Sequence, residues 1–150
     1  MSFDTIEDIL RFAIGKEEEA AAMYTDLAHS ARRGGMRDVF LEFAQEEKRH
    51  KARLERILEG GIPLAGSARV QDLGIAEQVV EVEPSPNMTY RDALLLAMKA
   101  EKAAYKLYTD LAAMTSDASL AEVFQSLAQE EARHKLRFEI EYDEQILEGT

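Results

Sequence analysis

The chain has no cysteine, no tryptophan and only three prolines, and its 18 Lys+Arg fall well short of its 29 Asp+Glu. Without cysteine it can form no disulfide, attack no substrate through a thiolate and bind no metal through sulfur. The formal net charge of -11 repels nucleic acid and anionic membrane surfaces alike. No apolar run approaches the ~20 residues of a membrane-spanning helix. The segment Met1-Ser2-Phe3-Asp4-Thr5 also lacks the basic and apolar regions of a signal peptide. These absences predict a soluble cytoplasmic protein. The one basic stretch, Lys48 to Arg56, reads as a solvated helix face. All three prolines, Pro63, Pro84 and Pro86, fall between residues 60 and 88, which leaves long proline-free stretches on either side.

What is present is 46% apolar and 31% charged sequence over 150 residues, enough to bury one core, so residues 1–150 read as a single domain. Within it the sequence is duplicated. Ala13 to Glu55 aligns without a gap on Ala97 to Glu139, at a constant offset of 84 positions. Identities concentrate in Glu17, in Tyr24-Thr25-Asp26-Leu27-Ala28, in Val39-Phe40, in Ala44-Gln45-Glu46-Glu47 and in Arg49-His50-Lys51. A period this long does not suit a stacked solenoid and does suit a duplicated helix pair.

Apolar residues recur with helical spacing in four stretches. The first helix opens near Thr5, paired with Asp8 as in a capping box, and carries Ile6, Ile9/Leu10, Ala13, Ala20, Tyr24 and Leu27 before Gly34 and Gly35 interrupt it. The second presents Phe40, Phe43/Ala44, Leu54 and Ile57/Leu58, and Gly60-Gly61 with Pro63 stops it. Thr89 with Asp92 opens the third, whose stripe is Leu94, Ala97, Ala104, Tyr108 and Leu111. The fourth runs from about Asp117 to Gly149 with Phe124, Leu127/Ala128, Phe138 and Ile146 inward. Two hairpins, 5–59 and 89–148, are therefore joined by residues 60–88, with room for a short helix around Gln71 to Val80. A helix of about 24 residues is roughly 36 Å long. A connection of this length can return along the bundle and start the third helix at the end opposite to where the second stopped. The expected fold is all-α, a four-helix bundle of two duplicated hairpins with a long crossover.

Each stripe has a gap, and each gap holds an acid: Glu17 between Ala13 and Ala20, Glu47 between Ala44 and Leu54, Glu101 between Ala97 and Ala104, Glu131 between Ala128 and Phe138. These four acids are expected to point inward, while Glu46, on a polar row with Glu42, Arg49 and Arg53, is expected to point away. Two residues of an antiparallel hairpin are level when the turn lies at their midpoint. For Glu17 and Glu47 that midpoint is residue 32, within the turn at His29 to Gly35; for Glu101 and Glu131 it is residue 116, within Ala113 to Ala118. All four acids thus share one layer. His50 and His134 each follow a motif glutamate at i+3, on the same helical face.

Four buried carboxylates cost several kcal/mol each, against a net stability of about 5–15 kcal/mol for a whole domain. No lysine or arginine lies on the stripes beside them, so neutralisation falls to two divalent cations, with Glu17, Glu47, His50, Glu101, Glu131 and His134 as metal ligands. Oxygen and nitrogen donors without sulfur suit iron, manganese or zinc. Solvated glutamates would not recur in the middle of apolar stripes. Tyr24 and Tyr108 read as hydrogen-bond donors to ligand carboxylates, or as packing side chains. Gln45 and Gln129 recur as helix formers, Glu18, Glu19 and His29 are expected in solvent, and Met23, Met36 and Met98 in the core.

At these residues the chain resembles the ferritin-like di-iron carboxylate proteins, and within them the rubrerythrin branch. The matching segments are Gly15-Lys16-Glu17 with Tyr24, Glu46-Glu47-Lys48-Arg49-His50, Glu101 with Tyr108, and Glu130-Glu131-Ala132-Arg133-His134. The resemblance implies two iron ions bridged by Glu47 and Glu131, with manganese or zinc as other occupants. It further implies reduction of hydrogen peroxide or dioxygen in oxidative-stress defence, an external electron-donor protein and a homodimer, with hairpin exchange across the connection conceivable. Rubrerythrins proper usually carry a four-cysteine iron module, which this chain lacks. They also commonly place a further glutamate one turn after the third-helix ligand, where this chain has Ala104, matched by Ala20 in the first helix. Two other functions stay open: ferrous oxidation and iron storage without peroxidase turnover, and a structural bundle whose core a metal merely neutralises. With no fifth helix after Gly149, a ferritin-type cage is not expected.

Overall fold

The computed structural model describes residue 3 and residues 5–31, 34–61 and 89–147. The described residues form four long helices and no strand: α1 (Ile6–Ser30), α2 (Gly34–Arg56), α3 (Tyr90–Met114) and α4 (Ala118–Leu147). The proposed short helix at 71–80, most of the 60–88 connection, Gly149 and the side chain of Ile146 lie outside the described residues. No described helix is long and apolar enough to cross a membrane.

Local chemistry sets the helix ends. Thr5 accepts a hydrogen bond from the Asp8 amide, half of the expected box, while Thr89 and Asp92 make both halves. Asp117 caps α4 by accepting from the Leu120 amide at 2.9 Å. The first break falls earlier than the glycines suggested: Ala31 turns extended (φ -71°, ψ 124°), and Gly34 and Gly35 already belong to α2. At the far end α2 widens into a π-type turn, Ile57–Gly61, and Gly60 adopts φ 96°, a left-handed conformation that favours glycine.

α1 packs along α2, and α3 along α4. Tyr24 bonds to Glu101 and Tyr108 bonds to Glu17, a reciprocal tie between α1 and α3, which run antiparallel, since Ile9 and Leu10 share a cluster with Leu111 and Leu27 shares one with Leu94. Two apolar clusters fill the bundle. One gathers Ile9, Leu10, Leu54, Ile57, Leu111, Phe124 and Leu127; the other gathers Leu27, Met36, Phe40, Phe43, Leu94 and Phe138. The end of α2 lies in the first cluster and the start of α3 in the second, so α3 begins at the end of the bundle opposite to where α2 stops. These helix ends are placed as the expected crossover requires.

The stripes need one adjustment. Ala20 and Ala104 are only half-buried, and in α1 the inward small residue is Ala21. Met23 and Met36 are buried, Met98 is half-buried, and His29, Glu18, Glu19, Gln45 and Gln129 are exposed.

Candidate metal centre

Along each helix the motif glutamate falls between residues of the two apolar clusters, so the four carboxylates form one polar layer across the core. Glu17 is 2% exposed, and Glu47, Glu101 and Glu131 are 1% exposed. His50 and His134 are buried beside them, with parallel rings 6.3 Å apart. No lysine or arginine pairs with these glutamates among the described residues.

The contacts come in duplicate, related by the pseudo-twofold axis of the repeat. His50 Nδ1 lies 3.1 Å from Glu131, 3.4 Å from Glu17 and 3.8 Å from Glu47. His134 Nδ1 lies 3.3 Å from Glu47, 3.4 Å from Glu101 and 4.0 Å from Glu131. Yet one buried atom from each residue has no hydrogen-bond partner: Glu17 Oε2, Glu47 Oε1, His50 Nδ1, Glu101 Oε2, Glu131 Oε1 and His134 Nδ1. The close approaches lack hydrogen-bond geometry because the donor atoms face a shared space rather than one another. Orphaned buried polar atoms are rare and costly, and six of them converging are what a cation site presents.

They define two groups, Glu17, Glu47, His50 and Glu131, and Glu47, Glu101, Glu131 and His134, whose candidate ligand atoms lie within 4.8 Å of one another in each. Glu47 and Glu131 belong to both, so each can offer one oxygen to either position. The hydroxyls of Tyr108 and Tyr24 donate to Oε1 of Glu17 and Glu101 respectively, which leaves Oε2 of each facing the centre.

Sequence reasoning missed two carboxylates. Glu46, expected in solvent, is half-buried, and its carboxylate bonds across the bundle to His134 Nε2. Glu130 Oε2 lies 2.9 Å from His50 Nε2, an ion-pair approach without hydrogen-bond geometry that leaves this buried oxygen too with no hydrogen-bond partner. On one helix Glu46 sits in a polar row; only the approach of α4 turns that row towards a partner. The Glu-Glu-x-x-His repeat was the available signal, since it doubles both glutamates. The outer nitrogen of His134 is bonded to Glu46 and that of His50 faces Glu130, which turns the inner one, Nδ1, of each towards the centre.

Electrostatics show the strain of the layer. Burial, then the charge of Glu131, raises the Glu47 carboxyl to about 7. Burial also pushes Glu17, Glu131 and Glu101 upward, with the charge of Glu47 next for Glu17 and that of Glu101 next for Glu131. Burial alone would lower the histidines, but Glu131, Glu17 and Glu47 outweigh it and take His50 up to about 11. Glu101, Glu47 and Glu131 likewise take His134 up to about 12. Burial and the neighbouring carboxylates hold Tyr24 and Tyr108 well above 10, so both phenols stay protonated donors. Protons and imidazolium charges thus do in the metal-free protein what cations would do in the loaded one.

A family model for rubrerythrin matches residues 8–142, nearly the whole chain. The chain belongs to the rubrerythrin family. Among solved structures it is similar to a hypothetical protein from Pyrococcus furiosus, at 26% identity and TM-score 0.67, covering 95% of this chain and 90% of that one. A Thermotoga maritima protein described as ferritin-like and diiron-carboxylate shares the fold at 20% identity and TM-score 0.78, covering 96% of this chain and 98% of that one. No curated protein sequence matches the chain. The resemblance drawn from the motifs and the all-helical four-helix bundle both stand on these findings.

Proposed function

We propose that this rubrerythrin-family chain is a cytoplasmic di-iron oxidoreductase that reduces hydrogen peroxide or dioxygen with electrons from an external donor protein, acting as a homodimer. The observation that carries this reading is the pair of overlapping four-residue groups sharing Glu47 and Glu131. Glu17, His50, Glu101 and His134 would complete the two positions, one glutamate and one histidine at each. Bound there, a pair of iron ions supplies two-electron redox chemistry at adjacent centres. The protein's own residues do the rest. Tyr24 and Tyr108 hold the terminal carboxylates through one oxygen, Glu46 and Glu130 aim the imidazoles, and the flanking apolar clusters keep bulk water from the ligand layer.

The test is stopped-flow oxidation of protein anaerobically loaded with ferrous iron. Oxidation much faster with hydrogen peroxide than with dissolved oxygen supports peroxide reduction; equal or slower reaction with peroxide transfers the assignment to ferrous oxidation. That second reading is favoured by Ala104 and Ala20, which stand where a further carboxylate would be needed to exchange onto iron. Loading that produces no redox-active centre leaves only a structural role.

A further inference from the structure

A cleft of ≈ 590 Å³ opens between α2 and α4 on the outer side of the histidines. Its floor is His50 and His134 with Glu46 and Glu130, and its walls carry one further carboxylate, Glu42, against Arg49, Arg53, Arg56, Arg133 and Arg137. This is contrary to composition, because a chain with net charge -11 has gathered five guanidinium groups around one hollow.

What sets these arginines apart is that they line one hollow, since unpaired cations also occur singly on the exposed surface at Lys48, Lys99 and Lys102. Elsewhere Arg11, Lys16, Lys51, Lys106 and Lys135 each hold a carboxylate within 3.0 Å. In the cleft, Arg49 makes only a long 3.8 Å contact with Glu46, and Arg53, Arg56, Arg133 and Arg137 have no carboxylate partner among the described residues. Glu46 and Glu130 are already committed to the imidazoles. Arg49 and Arg133, and likewise Arg53 and Arg137, occupy equivalent positions of the repeat, so the cationic walls follow the same pseudo-twofold axis as the buried centre. Guanidinium groups without carboxylate partners around a concave surface repel one another, and each presents a planar fork matched to carboxylate or phosphate. The hollow is also within the size range of small-molecule sites.

We propose that this cleft is a binding site for a small, multiply charged oxyanion bearing phosphate or carboxylate groups, held by Arg53 and Arg137 with Arg49 and Arg133 beneath. It lies on the outer side of the buried ligand layer, with His50 and His134 as the shared boundary, and stands whether or not that layer carries out redox chemistry.

The experiment is calorimetric titration of the metal-loaded, full-length protein with inorganic phosphate and, separately, with succinate, at ionic strength held constant with sodium chloride. The expected result is saturable binding of at least one anion, with the tighter of the two assigning phosphate or carboxylate as the recognised group. Losing two charge-assisted contacts should weaken it about tenfold or more in the Arg53→Ala/Arg137→Ala variant, while Arg11→Ala, outside the cleft, binds as the parent does. Melting curves and metal content of both variants establish that the fold and the buried centre are intact. Absence of saturation with either anion, or undiminished binding in the double variant, overturns the proposal; either result would leave the metal-site reading to its own test.

Discussion

Glu47→Gln should have opposite effects on the two forms of the protein: it stabilises the metal-free chain and abolishes full metal loading. The carboxyl of Glu47 is raised from 4.5 to about 7 by burial and by the charge of Glu131. The folded protein therefore retains a proton that the unfolded chain gives up above about pH 4.5. For a raised group, the stability contribution is fully present below the unfolded value and is lost as pH climbs through the folded one. A displacement of this size corresponds to a penalty on the order of 3 kcal/mol at pH 8. Glutamine has the same shape, carries no charge, and can donate to the surrounding carboxylates. Urea unfolding of metal-free protein at pH 8 should show the variant's midpoint raised by roughly 1 M or more, and the difference should vanish near pH 4. After addition of ferrous iron the order should invert, because the variant offers one anionic ligand fewer at both positions. A variant less stable than the parent at pH 8 without metal, or a midpoint shift independent of pH, would refute the electrostatic argument.

The histidines extend the same trend. With His50 and His134 raised to about 11 and about 12, their contribution is whole below pH 6.5 and drains away above it, so the metal-free protein should go on losing stability from about pH 6.5 to pH 9 by thermal melting. Tyr108→Phe removes the hydroxyl that donates to Glu17, and Glu46→Gln weakens the partner of His134 Nε2; each should reduce iron affinity by about 10–100-fold in competition titrations, with helical content unchanged. For Glu46→Gln, the imidazole ¹⁵N shifts should also move, a change that mere loss of packing would not produce. Phe138→Ala empties the junction of Tyr24, Phe40 and Phe43 and should cost about 3–5 kcal/mol in urea unfolding.

The fold was legible because duplication and helical period are both one-dimensional signals. The stripes of Leu10, Phe40, Leu94 and Phe124 gave the helices, and the glutamates interrupting them gave the polar layer. The caps at Thr5 and Thr89 are short-range chemistry and could be read directly, whereas the break at Ala31 was displaced towards the glycines because a helix can begin on glycine when its neighbours pack. What stayed hidden needed two helices at once. Glu46 and Glu130 look like solvated residues on α2 and α4 alone, and become partners of the opposite imidazole only when the hairpins meet. The same holds for the arginines, whose spacing along either helix reads as a wet face until the two faces enclose a cleft. An asymmetry was also unreadable: Phe43 stacks on His134 at 4.2 Å, while its repeat equivalent is Leu127, so the two imidazoles have different walls.

The most direct measurement of the central claim is an anaerobic titration of metal-free protein with ferrous iron at pH 7, following bound metal and released protons together. Two converging sets of orphaned ligand atoms predict an end point of two ions per chain, with protons expelled as the raised carboxyls and imidazolium groups surrender them to the cations. An end point of none, or binding without proton release, would contradict it.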